Sequence, residues 1–291
     1  MSESIYSPTR FLRKFKATSD STRSEMSIMD HLEAFRWHLV RSIIVWLVAV
    51  IIIFLHVDWV FDHIIYAPAK SSFITYGFLC NLGHSWHLGE ALCMPPVNIP
   101  LQGNTVSGPF MSAISISMIG GLILSFPYIF WELWRFIKPA LSVKEKKYSR
   151  ASILWVSLCF FTGAAFGYFL LAPFTFNFLA NFSLGSQGAY KYMPTLDDYI
   201  DTINTLILAC GIAFELPVLA FVLAKIGVIS GKFLKQKRKY SFILILVLAA
   251  IITPSPDWTS QIIVAIPLLI LYEISVIIAC RIDKQKALSN K

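Results

Sequence analysis

The sequence predicts an all-α protein that crosses a membrane several times. Three features lead there: an apolar composition, apolar runs of bilayer length, and basic residues confined to alternate connections. Of 291 residues, 56% are hydrophobic and 14% charged, which is too apolar for an ordinary soluble domain. A helix needs about 20 mostly apolar residues to cross a hydrocarbon core roughly 30 Å thick. Four runs fit, at 39–55, 110–134, 151–173 and 199–224, and two shorter candidates follow at 240–253 and 261–280. Lipid leaves the backbone a choice of helix or closed barrel, and these runs lack barrel alternation, so a six-helix bundle is expected.

Basic residues set the orientation. Twenty-three of the 25 Lys and Arg lie before or at the start of the first span, around 135–150, at 225–239 or after the sixth span, leaving Lys70 and Lys191 for the other face. Both termini are therefore expected in the cytoplasm. The net charge of +8 reflects this bias and contact with anionic headgroups of the lipid bilayer, and no nucleic-acid binding is read from it. Residues 1–27 are basic and rich in Ser and Thr, without an apolar core of signal-peptide length, and read as a flexible cytosolic tail. Residues 284–291 read as a second short tail. Residues 28–283 form one membrane domain, with no visible repeat or low-complexity tract to divide it.

The long outer loop at 56–109 carries Cys80 and Cys93 on the face where disulfides persist, and a disulfide between them is expected. Zinc held by these cysteines with His84 and His87 is conceivable, but the spacing matches no tight two-by-two ligand pattern, so no metal is expected. Cys159, Cys210 and Cys280 lie in or beside spans and read as packing residues.

The fourth run contains ACGIAFELPVLAF (209–221), where an acid sits two positions before a proline. Glu215 precedes Lys225 by ten residues, which places it about 15 Å deep, near the midplane. A charged group there costs about 2.5–3.5 kcal/mol, so it should face the bundle interior or a wet cavity. Satisfaction by a Ser or Thr of a neighbouring helix is the plainer alternative. Pro217 removes a backbone donor and crowds the turn near Ala213, so a kink is expected beside the acid. Glu273 lies eight residues from Arg281, about 12 Å deep. Glu132, between Trp131 and Trp134 and three residues from Arg135, reads as an interfacial, headgroup-level acid.

Enzyme signatures are missing where they would be needed. There is no H-E-x-x-H and no phosphate-cradling G-x-x-x-x-G-K-[ST], and the G-S-x-G run at 185–188 lies in an outer loop. Neither catalysis nor a cofactor is expected.

Six stretches taken in order form a more specific pattern: HLEAFRWHL (31–39), YAP (66–68), SFPYIFWELWRFIKPALSVKEKK (125–147), GYFLLAPFTFNFLANF (167–182), GIAFELPV (211–218) and TPSPDWTSQIIVAIPLLILYEI (253–274). Together they resemble the TatC family, the signal-peptide receptor of the twin-arginine protein translocase, over roughly residues 28–283. The resemblance implies six helices in a cupped, glove-like bundle in a prokaryotic inner membrane, with no enzymatic activity. It also implies export of folded proteins driven by the proton-motive force, with TatA-type and TatB-type single-span partners and other copies of the chain in a larger complex.

The resemblance further implies a patch for twin-arginine signal peptides on the cytosolic face. Glu145 matches the family's loop glutamate, Phe136 its aromatic, and His31 and Arg36 their counterparts in H-L-x-E-L-R. Position 34 departs from the pattern. The family usually has glutamate there and this chain has Ala34, while its own acid, Glu33, lies about 100° round a helix. A carboxylate can accept a guanidinium bidentately, which favours an acidic patch for two arginines. Glu215 matches the intramembrane acid that faces the family's cavity, beside Pro217, and Thr253 with Gln261 resemble its partner-helix contact. Short last spans would thin the surrounding lipid. The rival reading is a proton-coupled transporter of a small solute with Glu215 as carrier, although six spans without an evident inverted repeat are few for that class.

Overall fold

The apolar run of the first span is only part of a 28-residue helix, α1 (Ile28–Leu55), so HLEAFRWHL is helical and continuous with the span. The computed structural model describes residues 28–85, 93, 95, 98–137, 149–182, 193–253 and 258–289. After α1 come α2 (Val57–Val60), α3 (Ile74–Ser85), α4 (Gly108–Ile137), α5 (Ser149–Phe166) and α6 (Ala172–Asn181). They are followed by α7 (Leu196–Ala213), α8 (Leu216–Ile226), α9 (Gly231–Gln236), α10 (Arg238–Ile252) and α11 (Trp258–Ser289). Five stretches are long and apolar enough to cross a membrane: Phe35–Leu55, Gly108–Phe136, Ile153–Asn181, Leu196–Lys225 and Ser260–Gln285. The remaining expected span, α10, has 15 residues, about 22 Å of helix.

The last helix departs from the expectation of two short spans. It runs for 32 residues to Ser289, through the range read as a tail, so among the last two only α10 is short. An apolar run marks where a helix meets lipid rather than where it ends, and the polar continuation is rich in good helix formers such as Lys, Gln, Ala and Leu.

Prolines shape the outer half, and each leaves a carbonyl that needs a donor. Pro173 cannot bond to the Phe169 carbonyl. The chain widens into a π-turn at Gly167–Leu171, and the Thr75 hydroxyl donates to Phe169 O at 2.6 Å. Pro68 likewise frees the Ile64 carbonyl after the π-turn Phe61–Ile65, and the Tyr168 hydroxyl donates to it at 2.7 Å. Tyr199 donates to Ile65 O at 2.7 Å and Tyr66 to Ile99 O at 3.1 Å. In lipid such groups must be satisfied by the protein itself, so three hydroxyls fasten the outer loop onto the bundle, and that of Tyr66 closes the loop on itself. Tyr76, on α3 outside the spans, donates to Pro68 O, and burial pushes its phenol up to about 12.

The same loop is held covalently. Cys80, near the end of α3, and Cys93 are joined by a disulfide. The His84 imidazole lies beside it, with Nδ1 at 2.8 Å from the Cys80 carbonyl. Gln102 then bridges to Thr195 just before α7, joining the two outer loops, and the Thr195 hydroxyl caps α7 through Asp198 N. The main core lies beneath, where Phe176 stacks on Tyr199 at 4.5 Å among Ile203, Leu206 and Leu268.

Glycines let the spans approach. A Cβ at Gly121 of α4 would lie 2.7 Å from Val50 Cγ2 and 2.9 Å from the Val50 backbone nitrogen of α1. One at Gly167 would lie 2.7 Å from the Leu206 carbonyl oxygen of α7. Small residues at helix crossings are the packing device expected where lipid supplies no hydrophobic drive between helices. Gly121→Val should therefore prise α1 from α4 and lower stability by about 1–3 kcal/mol, read as a reduced thermal unfolding midpoint in detergent. At Gly77 nothing lies within 4 Å of an added Cβ, so Gly77→Ala should cause no such loss.

Candidate functional site

The N-terminal end of α1 and the C-terminal end of α4 meet on the basic face around a carboxylate. Glu132 is 1% exposed. His38 of α1 is bonded through Nδ1 to its Oε2, the Tyr128 hydroxyl donates to Oε1 at 3.0 Å, and Arg135 Nη1 stands 3.6 Å from Oε1. This corrects the reading of Glu132 as a headgroup-level acid. From α4 alone the residue looks interfacial, because it is flanked by two tryptophans. What buries it is the passage of α1 across that surface, which no local pattern reports.

The aromatic patch stands on this polar cluster. Phe136 packs on Phe35 of α1 at 5.0 Å between ring centroids and lies edge-on to the His38 ring at 6.4 Å. Glu33 and Arg36, on either side of Phe35 in α1, are exposed, the Arg36 guanidinium lying 5.9 Å over the Trp37 ring. The structure thus brings Glu33, Arg36 and Phe136 to one end of the α1–α4 pair. His31 is within α1, but its side chain and that of Ala34 lie outside the described residues, as does Glu145.

The fourth span is broken where the sequence places its acid and proline. α7 ends at Ala213, Phe214 and Glu215 form a turn, and α8 starts at Leu216 with Pro217 in its first turn. Pro217 has no N–H for the Ala213 carbonyl, which is the reason for the break. Both Glu215 carboxylate oxygens are buried, and neither has a hydrogen-bond partner among the described residues. No Ser or Thr hydroxyl among them meets the acid, so the plainer alternative of a locally satisfied acid does not hold there.

Thr253 ends α10, buried, its hydroxyl donating to Ala249 O at 3.0 Å. The Gln261 side-chain amide donates across to Leu246 O at 3.1 Å. These two residues therefore fasten the short α10 at its end and to α11. On the basic face Glu273 pairs with Arg238 at 2.6 Å, with both side chains 48% exposed, and the Asp283 carboxylate accepts from Gly231 N at 2.8 Å. Sequence reading missed His38 and Tyr128 altogether. The available signal was the four-residue spacing of Tyr128 and Glu132, which puts a hydroxyl and an acid on one helix face.

These features define a polytopic α-helical membrane protein with a broken fourth span, a 15-residue apolar helix before its last span and a polar, aromatic cluster at its basic face. Its residues 30–267 match the family model of the Sec-independent protein translocase protein TatC. The TatC protein of Blattabacterium is 41% identical over 265 residues, covering 91% of this chain and 98% of its own length. That of Desulforapulum autotrophicum is 34% identical over 257 residues, covering 88% and 85%. A crystal structure of the twin-arginine translocase receptor TatC superposes with a TM-score of 0.64 at 34% identity, over 86% of this chain and 97% of the other. A second, in the detergent DDM, gives 0.67 at 33% identity over 86% and 99%. The chain belongs to the TatC family of protein translocase components.

His38→Ala should leave Glu132 buried with fewer donors and cost about 1–3 kcal/mol. Glu132→Gln, which keeps the shape and removes the charge, should cost less. Thermal unfolding in detergent should rank wild type above Glu132→Gln above His38→Ala, and the double change should cost less than the two single costs together.

Proposed function

We propose that this protein is the receptor of a twin-arginine translocase in a prokaryotic inner membrane. Both termini face the cytoplasm, and the end of the α1–α4 pair binds twin-arginine signal peptides. The observation that carries the reading is the fixed cluster there, with Glu33, Arg36 and the Phe35–Phe136 pair presented above the buried His38–Glu132 bond. An acid offers a planar acceptor for a guanidinium, and the aromatic faces suit both guanidinium stacking and the apolar run that follows the arginines. Glu145 supplies the second acid in this reading. Family membership supports a transport role without catalysis, with folded cargo moved by the proton-motive force and with TatA-type and TatB-type single-span partners and further copies of the chain. It also removes the ground for a small-solute transporter.

Glu215 has a separate role in the proposal. Its carboxylate, unpartnered among the described residues and next to a broken helix, marks a cavity that is hydrated or filled by a partner's polar group during transport. Thr253 and Gln261 set the angle of the short α10 against α11 and so shape the surface a partner helix meets. The short α10 thins the lipid beside it and eases the passage of cargo.

Two measurements test these roles. Binding of a peptide with adjacent arginines and an apolar run should weaken by about 1.5–3 kcal/mol in Glu145→Ala, and less in Glu33→Ala. Ala34→Glu should leave binding unchanged or tighter. A double-mutant cycle against Arg→Gln changes in the peptide should show coupling for Glu145, and zero coupling in folded protein would remove it from the site. For the cavity, Glu215→Leu should abolish export of folded cargo in vesicles. Wild-type export by that variant would reduce Glu215 to a tolerated packing group.

A further inference from the structure

Between α5, α8 and α11 the bundle is open, leaving a groove of about 550 Å³. Its walls are apolar, formed by Trp155, Val218, Phe221, Leu271, Ile274 and Ile278, and its end on the basic face carries Arg281 and Gln285. Leu271, Ile274, Ile278, Arg281 and Gln285 recur at three- and four-residue spacing, so one face of α11 forms the whole length of the groove. From Leu271 to Arg281 that face rises about 15 Å, half of a hydrocarbon core. The groove therefore runs from near the midplane to headgroup level, and a cation closes its outer end.

Arg281 is exposed and makes no hydrogen bond or ion pair among the described residues. The acids around it are engaged elsewhere, Glu273 with Arg238 and Asp283 with the Gly231 backbone. A positive, unpaired guanidinium above an apolar channel of one leaflet's length matches one chemistry, an anionic headgroup on an acyl chain.

We propose that this groove binds one anionic phospholipid of the leaflet on the basic face. An acyl chain lies against Leu271, Ile274 and Ile278, and the phosphate sits on the Arg281 guanidinium with the Gln285 amide as a second donor. The site does not depend on the signal-peptide reading, since none of the residues of that patch lines it.

The test is native mass spectrometry of the purified full chain re-lipidated with phosphatidylglycerol or phosphatidylcholine of matched chains. Wild type should retain phosphatidylglycerol about fivefold better, the factor expected for one basic residue at an anionic headgroup. Arg281→Gln should lose that preference, while Lys284→Gln, an exposed neighbour that does not line the groove, should keep it. Ile274→Trp, which narrows the channel, should reduce retention of both lipids. In intact membranes a photo-crosslinker at Ile278 should capture phospholipid. Equal retention of both lipids by wild type, an undiminished preference in Arg281→Gln, an equal loss in Lys284→Gln, unchanged retention in Ile274→Trp, or capture of a second protein's helix from Ile278 would each overturn the proposal.

Discussion

Glu132 is a carboxylate at 1% exposure near the end of a membrane-spanning helix, and the basic face is arranged around satisfying it. Its partners come from two helices. His38 reaches it from α1, and Tyr128 and Arg135 reach it from α4. Breaking such a buried polar contact is costly, whereas a complete one fixes how two helices meet. Gly121 makes the contact possible by letting the Val50 backbone approach α4 closely, and Trp46 adds an indole hydrogen bond to the Met118 carbonyl at 3.1 Å. Phe35, Phe136, Glu33 and Arg36 are thereby carried on one paired unit. A receptor surface built on packed helices holds its shape better than one built on loops.

The same requirement, applied to the backbone, explains the irregular outer half. Pro68 and Pro173 each free a carbonyl, and each is met by a hydroxyl from another segment, Tyr168 and Thr75 respectively. Pro217 frees another in the fourth span, and there the helix breaks and restarts instead. Glu215 at this break departs from the rule, because its carboxylate oxygens are buried and unpartnered among the described residues, as is the Thr175 hydroxyl. The acid in the α1–α4 pair and the acid in the fourth span differ in their surroundings. Glu132 has three partners, and Glu215 has none among those residues.

Much of this was legible in the sequence because membrane insertion imposes simple one-dimensional rules. Apolar length located the five long spans and the short α10, and the acid-proline pair of ACGIAFELPVLAF located the break in the fourth span. What stayed hidden depends on helix crossings. Glu132 was read as interfacial because its tryptophan neighbours are visible in sequence, whereas His38 lies 94 residues away. The length of α11 was underestimated because its polar last turns remain helical beyond the apolar run. The π-turn at Phe61–Ile65 stands before Pro68, and the Tyr168 hydroxyl that meets its freed Ile64 carbonyl is 104 residues away.

The central claim is that twin arginines dock at the joined ends of α1 and α4. A photoreactive residue in place of Phe35, in protein kept in its native membrane, tests it most directly with a peptide carrying adjacent arginines before an apolar run. The account predicts crosslinking to that peptide and its loss when both arginines are changed to glutamine. Equal crosslinking of the two peptides, or crosslinking only from a control position on the opposite face such as Phe78, would contradict it.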